Sequence, residues 1–299
     1  MMPIKEQRYL DQLPSFSGKT VLITGASSGI GLEAAKAFAY KGAHVIFFVR
    51  DKAKTQTCIE NIETELGYSI QADIILYNQA DVSTFEVAIK EAVKYPIDII
   101  VLNAGVFFPK VGQTAYDMDM TMMVNAIGTR LLFERFFEAF PRSRYVFVTS
   151  IASQKAKKHN YDAFLKPLID HRIYQYNVSK QCVAYAYEYA SRCGADCCLY
   201  HPGVTRTNIL REFTPWFKKV GQSFLTAMTH PAWKASLGIL KASLSPTHTY
   251  IVPRGLFHIS GYPKAIRFHI DLKDYEAYEG YIEKAKKKIA DCGIRPSRY

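Results

Sequence analysis

The chain of 299 residues is 48% hydrophobic, carries a formal charge of +11 and contains six cysteines. Such apolar content builds a sizeable core and excludes a disordered chain, while no run reaches the roughly 18 apolar residues of a membrane span. Lys5, Glu6, Arg8 and Asp11 break up the N-terminus where a secretory leader would need an apolar stretch, so a cytoplasmic protein is expected. The cysteines form no Cys-x-x-Cys pair and read as buried thiols, with neither disulfide nor metal site expected. Basic residues fall into small scattered groups (Lys155, Lys157 and Lys158; Lys218 and Lys219; Lys284, Lys286, Lys287 and Lys288). That is the pattern of solvated faces, so nucleic acid is not expected as a partner.

After a short arm over residues 1–17, apolar runs at 20–24, 43–49, 72–77, 97–102, 144–149 and 195–200 each precede a stretch of helical periodicity. The alternation predicts an α/β doubly wound parallel sheet spanning 1–299 as one domain. The first run opens onto Thr24-Gly25-Ala26-Ser27-Ser28-Gly29-Ile30-Gly31. Its glycines let the backbone turn tightly and approach a pyrophosphate, which the free amides at the start of a helix over 29–41 would meet. No Gly-Lys-Ser/Thr follows, so a dinucleotide is favoured over ATP.

The second run ends in Arg50, about 20 residues past the last glycine, where such folds meet the adenosine ribose. A guanidinium there selects NADP; the competing reading gives the ribose hydroxyls to Asp51. Asp81-Val82 after the third run and Asn103-Ala104-Gly105 after the fourth fall at carboxyl ends of strands and are expected to border the adenine side. The fifth run leads into Thr149-Ser150, a hydroxyl suited to hold a substrate oxygen, with Thr149 or Ser153 as substitutes if the register is shifted. Gly-x-Ser-x-Gly is absent, which disfavours a hydrolase. Tyr176 and Lys180 lie four residues apart on one helix face, where an ammonium lowers the phenol pKa and equips Tyr176 as an acid or base.

Residues 204–265 break the alternation, with Pro215, Pro231, Pro246 and Pro253 as interruptions, and are expected to form a helical substrate lid. Phe213, Trp216, Phe217, Val220, Phe224, Leu225 and Met228 recur at helical spacing. The stripe caps a pocket for an apolar ketone or aldehyde, packs as ordinary core, or lies on a lipid surface, giving a peripheral membrane contact over 211–228. His201 reads as a packed or hydrogen-bonded side chain, not a metal ligand.

In order and spacing these motifs resemble the short-chain dehydrogenase/reductase family, a Rossmann-type fold. The resemblance puts the glycine motif on Gly25, Gly29 and Gly31 and a catalytic tetrad on Asn125, Ser150, Tyr176 and Lys180. It also implies a nicotinamide-receiving loop over Pro202, Gly203, Val204 and Thr207. Asn125 would anchor a water linking Lys180 to solvent, and Lys180 would bond the nicotinamide ribose. Val49-Arg50-Asp51, His201-Pro202-Gly203-Val204 and the 26 positions from Ser150 to Tyr176 resemble the retinol-dehydrogenase-like branch. Ala126 stands where that branch carries histidine, so retinoid is not carried over as substrate. The expectation is an NADP(H)-dependent oxidoreductase of apolar carbonyls or alcohols, with a homodimer through helices near 114–139 and 175–192. The alternatives are a non-catalytic NADP sensor or scaffold and a reductase of carrier-bound acyl chains.

Overall fold

All six predicted apolar runs are strands of one sheet: β1 Thr20–Thr24, β2 His44–Val49, β3 Ala72–Leu76, β4 Ile97–Leu102, β5 Arg144–Val148 and β6 Cys197–Tyr200. The computed structural model describes residues 4–107, 109, 111–155, 161–166, 172–206, 229–267 and 270–293. Two further strands complete the sheet, β9 (Tyr250–Pro253) and β10 (Pro263–Ile266), while β7 (Thr205–Arg206) and β8 (His230–Pro231) form a separate two-residue ladder. The order is β10-β9-β6-β5-β4-β1-β2-β3, parallel except for β10, which runs antiparallel to β9. Chain direction across the sheet reverses between β1 and β4, the switch point outside which open α/β sheets bind ligands.

Successive residues of each strand point to opposite faces. Leu22, Ile46, Phe48, Ile100 and Leu102 pack into one buried cluster and Val21, Ile23, Val45, Phe47 and Val101 into the other. Both faces are covered, which is why the strands read as unbroken apolar runs and not as alternating ones. The helices are α1 (Ile4–Asp11), α2 (Gly29–Tyr40), α3 (Lys52–Leu66), α4 (Phe85–Ala92), α5 (residues 120–139), α6 (Arg172–Arg192), α7 (Ala232–Leu244) and α8 (Tyr275–Asp291). α4, α5, α6 and α8 cover the first face, and α1, α2, α3 and α7 the second. Arg130 of α5 is buried against Glu279 of α8 through paired bonds of 2.7 and 2.9 Å and lies 3.2 Å from the Tyr189 ring centre, tying three helices together.

Ahead of β1, α1 buries Leu10 against the second face and Phe16 packs edge-on against Phe38. One expectation changes. Of the stretch 204–265 expected to be lid, residues 232–265 instead supply α7 and, short of the last residue of β10, the β9–β10 edge. Leu237, Ile239 and Leu240 are buried against the sheet. The prolines that suggested a loop sit where a missing N–H is tolerated: Pro253 faces Pro263 on the antiparallel edge, and Pro246 lies past the end of α7. The stripe 213–228 and Thr207 lie outside the described residues.

Candidate active site

At the carboxyl end of β1 the chain turns through Gly25, with φ of +69°, and enters α2 at Gly29. Ser28 is the N-cap residue but makes no side-chain cap, so the first-turn amides are left for a ligand. A Cβ on Gly31 would lie 2.5 Å from Asn103 Nδ2 and 2.7 Å from Gly25 O, so the turn closes only with glycine there. Ser27, whose carbonyl accepts a weak bond from Cys58 Sγ at 3.6 Å, and Ile30 are half-buried beside it. The floor is braced by Thr24. Its Oγ1 donates to Val101 O and accepts from the amides of Asn103 and Ala104, both at 2.9 Å, while Asn103 Nδ2 donates to Thr24 O at 3.0 Å. Asn103 thus holds β1 and β4 together at the switch point.

Arg50 and Asp51 follow β2 and are both exposed. Asp51 Oδ1 accepts from Lys54 N at 2.9 Å and caps α3, whereas no carboxylate among the described residues pairs with Arg50. Asp81 is likewise engaged: Oδ1 accepts from Ser83 N, from Ser83 Oγ at 2.6 Å and from the Tyr116 phenol at 3.0 Å, and that phenol accepts from Val82 N. A dinucleotide fits this cradle. Its pyrophosphate would meet the α2 amides, its adenosine ribose would fall beside Arg50 and Asp51, and its adenine would lie against Asp81 and Val82.

The four expected catalytic residues converge beyond β4 and β5. Asn125 lies inside α5, where the helix widens into a π-helical turn over Met123–Gly128, a departure that recurs at functional positions. Its side chain is buried and saturated: Oδ1 accepts from Val106 N at 2.8 Å, and Nδ2 donates to Val106 O at 2.9 Å and to Ser179 Oγ at 3.0 Å. A Cβ on Gly105 would stand 3.1 Å from Asn125 Oδ1 and 3.2 Å from Lys180 Nζ, so both groups close on one backbone position. Ser150 Oγ accepts from Ala152 N at 3.2 Å and lies near the Tyr176 phenol, whose pKa it lowers. Thr149 is not available as its substitute, because its Oγ1 donates to Lys180 O at 2.6 Å inside the core, and Ser153 Oγ is bonded to Ser150 O at 2.7 Å. The Phe107 ring stands edge-on to Tyr176 at 4.5 Å.

The electrostatics differ from the sequence expectation. Burial pushes the Tyr176 phenol up to about 12 and Ser150 pulls it back, while burial pushes Lys180 down to about 8. The ammonium does not lower the phenol in the protein alone. Lys180 Nζ reaches toward Val148 O at 3.4 Å and stays 5.9 Å from the Tyr176 ring centre.

Residues 19–163 match the family model described as short chain dehydrogenase. The chain is 28% identical to human retinol dehydrogenase 11 over 78% of its own length and 77% of that protein, and 26% identical to a short-chain dehydrogenase/reductase of Armillaria gallica over 82% and 83%. Over about half its length this chain is similar to the short-chain dehydrogenase/reductase family. Its fold matches a solved but uncharacterized protein of Mycobacterium paratuberculosis with a TM-score of 0.69, at 22% identity over 93% of this chain and 97% of that one. Other solved chains of the fold hold NAD, NADH or NADP.

One further feature has no local sequence signal. Buried Gln79, just past β3, donates through Nε2 to Val124 O at 2.7 Å and to Thr129 Oγ1 at 3.0 Å, and its Oε1 accepts from the Tyr77 phenol at 2.7 Å. It thereby satisfies a carbonyl at the π-helical turn that carries Asn125. Past β6, Pro202, Gly203 and Val204 form a loop shaped by His201, whose Nδ1 accepts from Gly203 N at 2.9 Å. Burial, then the neighbouring His258 and His230, push His201 down to about 3, so it stays neutral. Val204 N donates to Ile259 O at 2.8 Å, joining this loop to the turn between β9 and β10.

Proposed function

We propose that this chain is a short-chain dehydrogenase/reductase that uses NADP(H) to interconvert an apolar carbonyl compound and its alcohol, with Tyr176 handling the proton. The reading is carried by one observation: Ser150, just past the end of β5, stands close enough to the Tyr176 phenol to pull its pKa down, with Lys180 and Asn125 closing on Gly105 beside them. In the reductive direction Ser150 holds the substrate oxygen and Tyr176 donates its phenolic proton to that oxygen as charge develops there; in oxidation the same atom receives the proton. Lys180 would hold the nicotinamide ribose, and Asn125 keeps the polypeptide around Val106 in place beside it. When bound, the nicotinamide supplies or takes up the hydride.

The phosphorylated cofactor is favoured because Asp51 is committed to capping α3, whereas Arg50 is unpaired among the described residues and free to meet a 2′-phosphate. The Phe107 edge against Tyr176 makes this side of the site apolar and favours a substrate of the same character. Tyr176→Phe tests the assignment. NADPH affinity should be retained, and NADPH consumption with aldehydes or ketones that the wild type accepts should fall by about 10²–10⁴-fold. Turnover near the wild-type rate would overturn the role of Tyr176, and a wild-type protein that binds NADPH but consumes none across a broad panel would overturn the enzyme reading in favour of a cofactor sensor.

A further inference from the structure

Leu256 and Phe257 are 79% and 75% exposed, the two most exposed large apolar side chains among the described residues. They sit at the tip of the turn between β9 and β10, whose base is closed by Arg254 N donating to Tyr262 O and Gly255 N donating to Ser260 O, each at 2.8 Å. The base is fixed to the body of the protein, since Tyr262 stacks on Tyr9 of α1 at 5.2 Å. The tip is held against conformational preference: Phe257 and His258 adopt φ of +51° and +56°, a left-handed backbone that non-glycine residues enter at a cost. An apolar pair kept in water by a strained, anchored turn calls for a partner.

Charge identifies the kind of partner. No Asp or Glu occurs between Glu212 and Asp271, while that interval contains seven Lys or Arg. Three of these cations, all among the described residues, surround the base of the turn. Arg254 is exposed, Lys264 stands on β10 next to the Pro253–Pro263 pair, and the Lys234 ammonium lies 4.6 Å from the Tyr262 ring centre. Of the α1 carboxylates, Glu6 is buried, and Asp11 is turned to the Tyr40 phenol, which donates to it at 2.8 Å. Two side chains at a turn tip cannot cover the ~800 Å² per partner of a stable protein interface, but they can enter the headgroup region of a bilayer while the cations behind them meet lipid phosphates.

We infer that the Leu256–Phe257 tip is a docking point for an anionic membrane surface, with Arg254, Lys264 and Lys234 as its headgroup contacts. The bond from Val204 N to Ile259 O places this docking point one hydrogen bond from the Pro202–Val204 loop, so an apolar substrate could reach the site from the lipid phase. The inference does not depend on the catalytic reading, because lipid binding is measured without turnover.

The test is co-sedimentation of the full chain with phosphatidylcholine vesicles made with and without phosphatidylserine. The protein should partition onto the phosphatidylserine vesicles in a salt-sensitive manner. Replacing both tip residues, Leu256→Ser with Phe257→Ser, should weaken partitioning by at least ~10-fold. Arg254→Gln or Lys264→Gln should each weaken it about fivefold, and only where phosphatidylserine is present. Val87→Ser, at an exposed apolar position on α4, should change nothing. Leu256, Phe257, Arg254 and Val87 are exposed and Lys264 is half-buried, and matching thermal melts separate loss of docking from loss of fold. The inference is overturned by no partitioning onto either vesicle, by a tip variant that partitions like the wild type, or by a tip variant that instead dissolves a self-association of the wild type.

Discussion

Replacing Arg50 by glutamine removes the guanidinium while keeping an amide that can still bond a ribose hydroxyl. A charge-assisted hydrogen bond contributes about 1.5–3 kcal/mol, and because Arg50 is exposed the lower part of that range applies, which corresponds to a roughly 10- to 30-fold loss of affinity. The loss should fall on NADPH alone, since NADH carries no 2′-phosphate for the guanidinium to meet. Titration calorimetry with each cofactor reads the two affinities separately. A companion variant, Asp51→Asn, isolates the rival residue: asparagine caps a helix about as well as aspartate, so α3 keeps its bond from Lys54 N and only the carboxylate charge is lost. If Arg50→Gln weakens both cofactors alike, the guanidinium does not read the 2′-phosphate; if Asp51→Asn abolishes NADH binding while Arg50→Gln leaves NADPH untouched, Asp51 and not Arg50 reads the ribose, and the argument from the α3 cap fails.

Other predictions concern the buried polar groups. Tyr176 keeps its proton up to about 12, so the group that titrates first is Lys180: it is an ammonium below about 8 and neutral above, and reductive kcat/KM should fall as the pH rises through that value. A profile flat across it would show that the Lys180 charge is not needed. Gln79→Met strips Val124 O, Thr129 and the Tyr77 phenol of their partner and should cost about 2–4 kcal/mol by denaturant unfolding. Turnover should drop more than NADPH affinity; a loss confined to stability would mean that the π-helical turn holds Asn125 unaided. Burial raises Glu6 from 4.5 to about 7, and no hydrogen-bond partner meets its oxygens among the described residues. The folded state then binds a proton that the unfolded chain has lost, so the Glu6 contribution is present below pH 4.5 and disappears as pH rises through 7. Glu6→Gln should stabilise by about 1–3 kcal/mol above pH 7 and hardly at pH 4.5, read as the difference in Tm. Equal stability of the two proteins above pH 7 would refute the burial of a costly charge.

Some of this was visible in the sequence because a single local rule governs it. A strand buried on both faces must be apolar throughout, so β1 to β6 stand out as runs, and a turn that closes at Gly31 admits only glycine, so the motif stands out as well. The β9–β10 edge did not, because Tyr250–Pro253 spans four residues and ends in the residue type that usually breaks a ladder. Nothing in the sequence of α7 separates it from a lid, because an apolar helical face looks the same whether it meets a substrate or a sheet. Gln79 escaped notice because its partners, Val124 and Thr129, lie 45 and 50 residues away. Spacing places Lys180 on the same helix face as Tyr176 but says nothing of burial or of the pull of Val148 O on its ammonium.

The Thr24 hydroxyl, shared between Val101 O and the amides of Asn103 and Ala104, makes the rim between β1 and β4 stiff before anything arrives. A guest therefore loses its own freedom on entering but does not have to organise its host. Thr24→Val, which keeps the shape and removes the oxygen, would leave two amide protons without an acceptor and make the rim breathe. The damage would show first as faster escape of the coenzyme and as quicker hydrogen exchange at Asn103 and Ala104, before any change in the chemistry at the far side of the crevice.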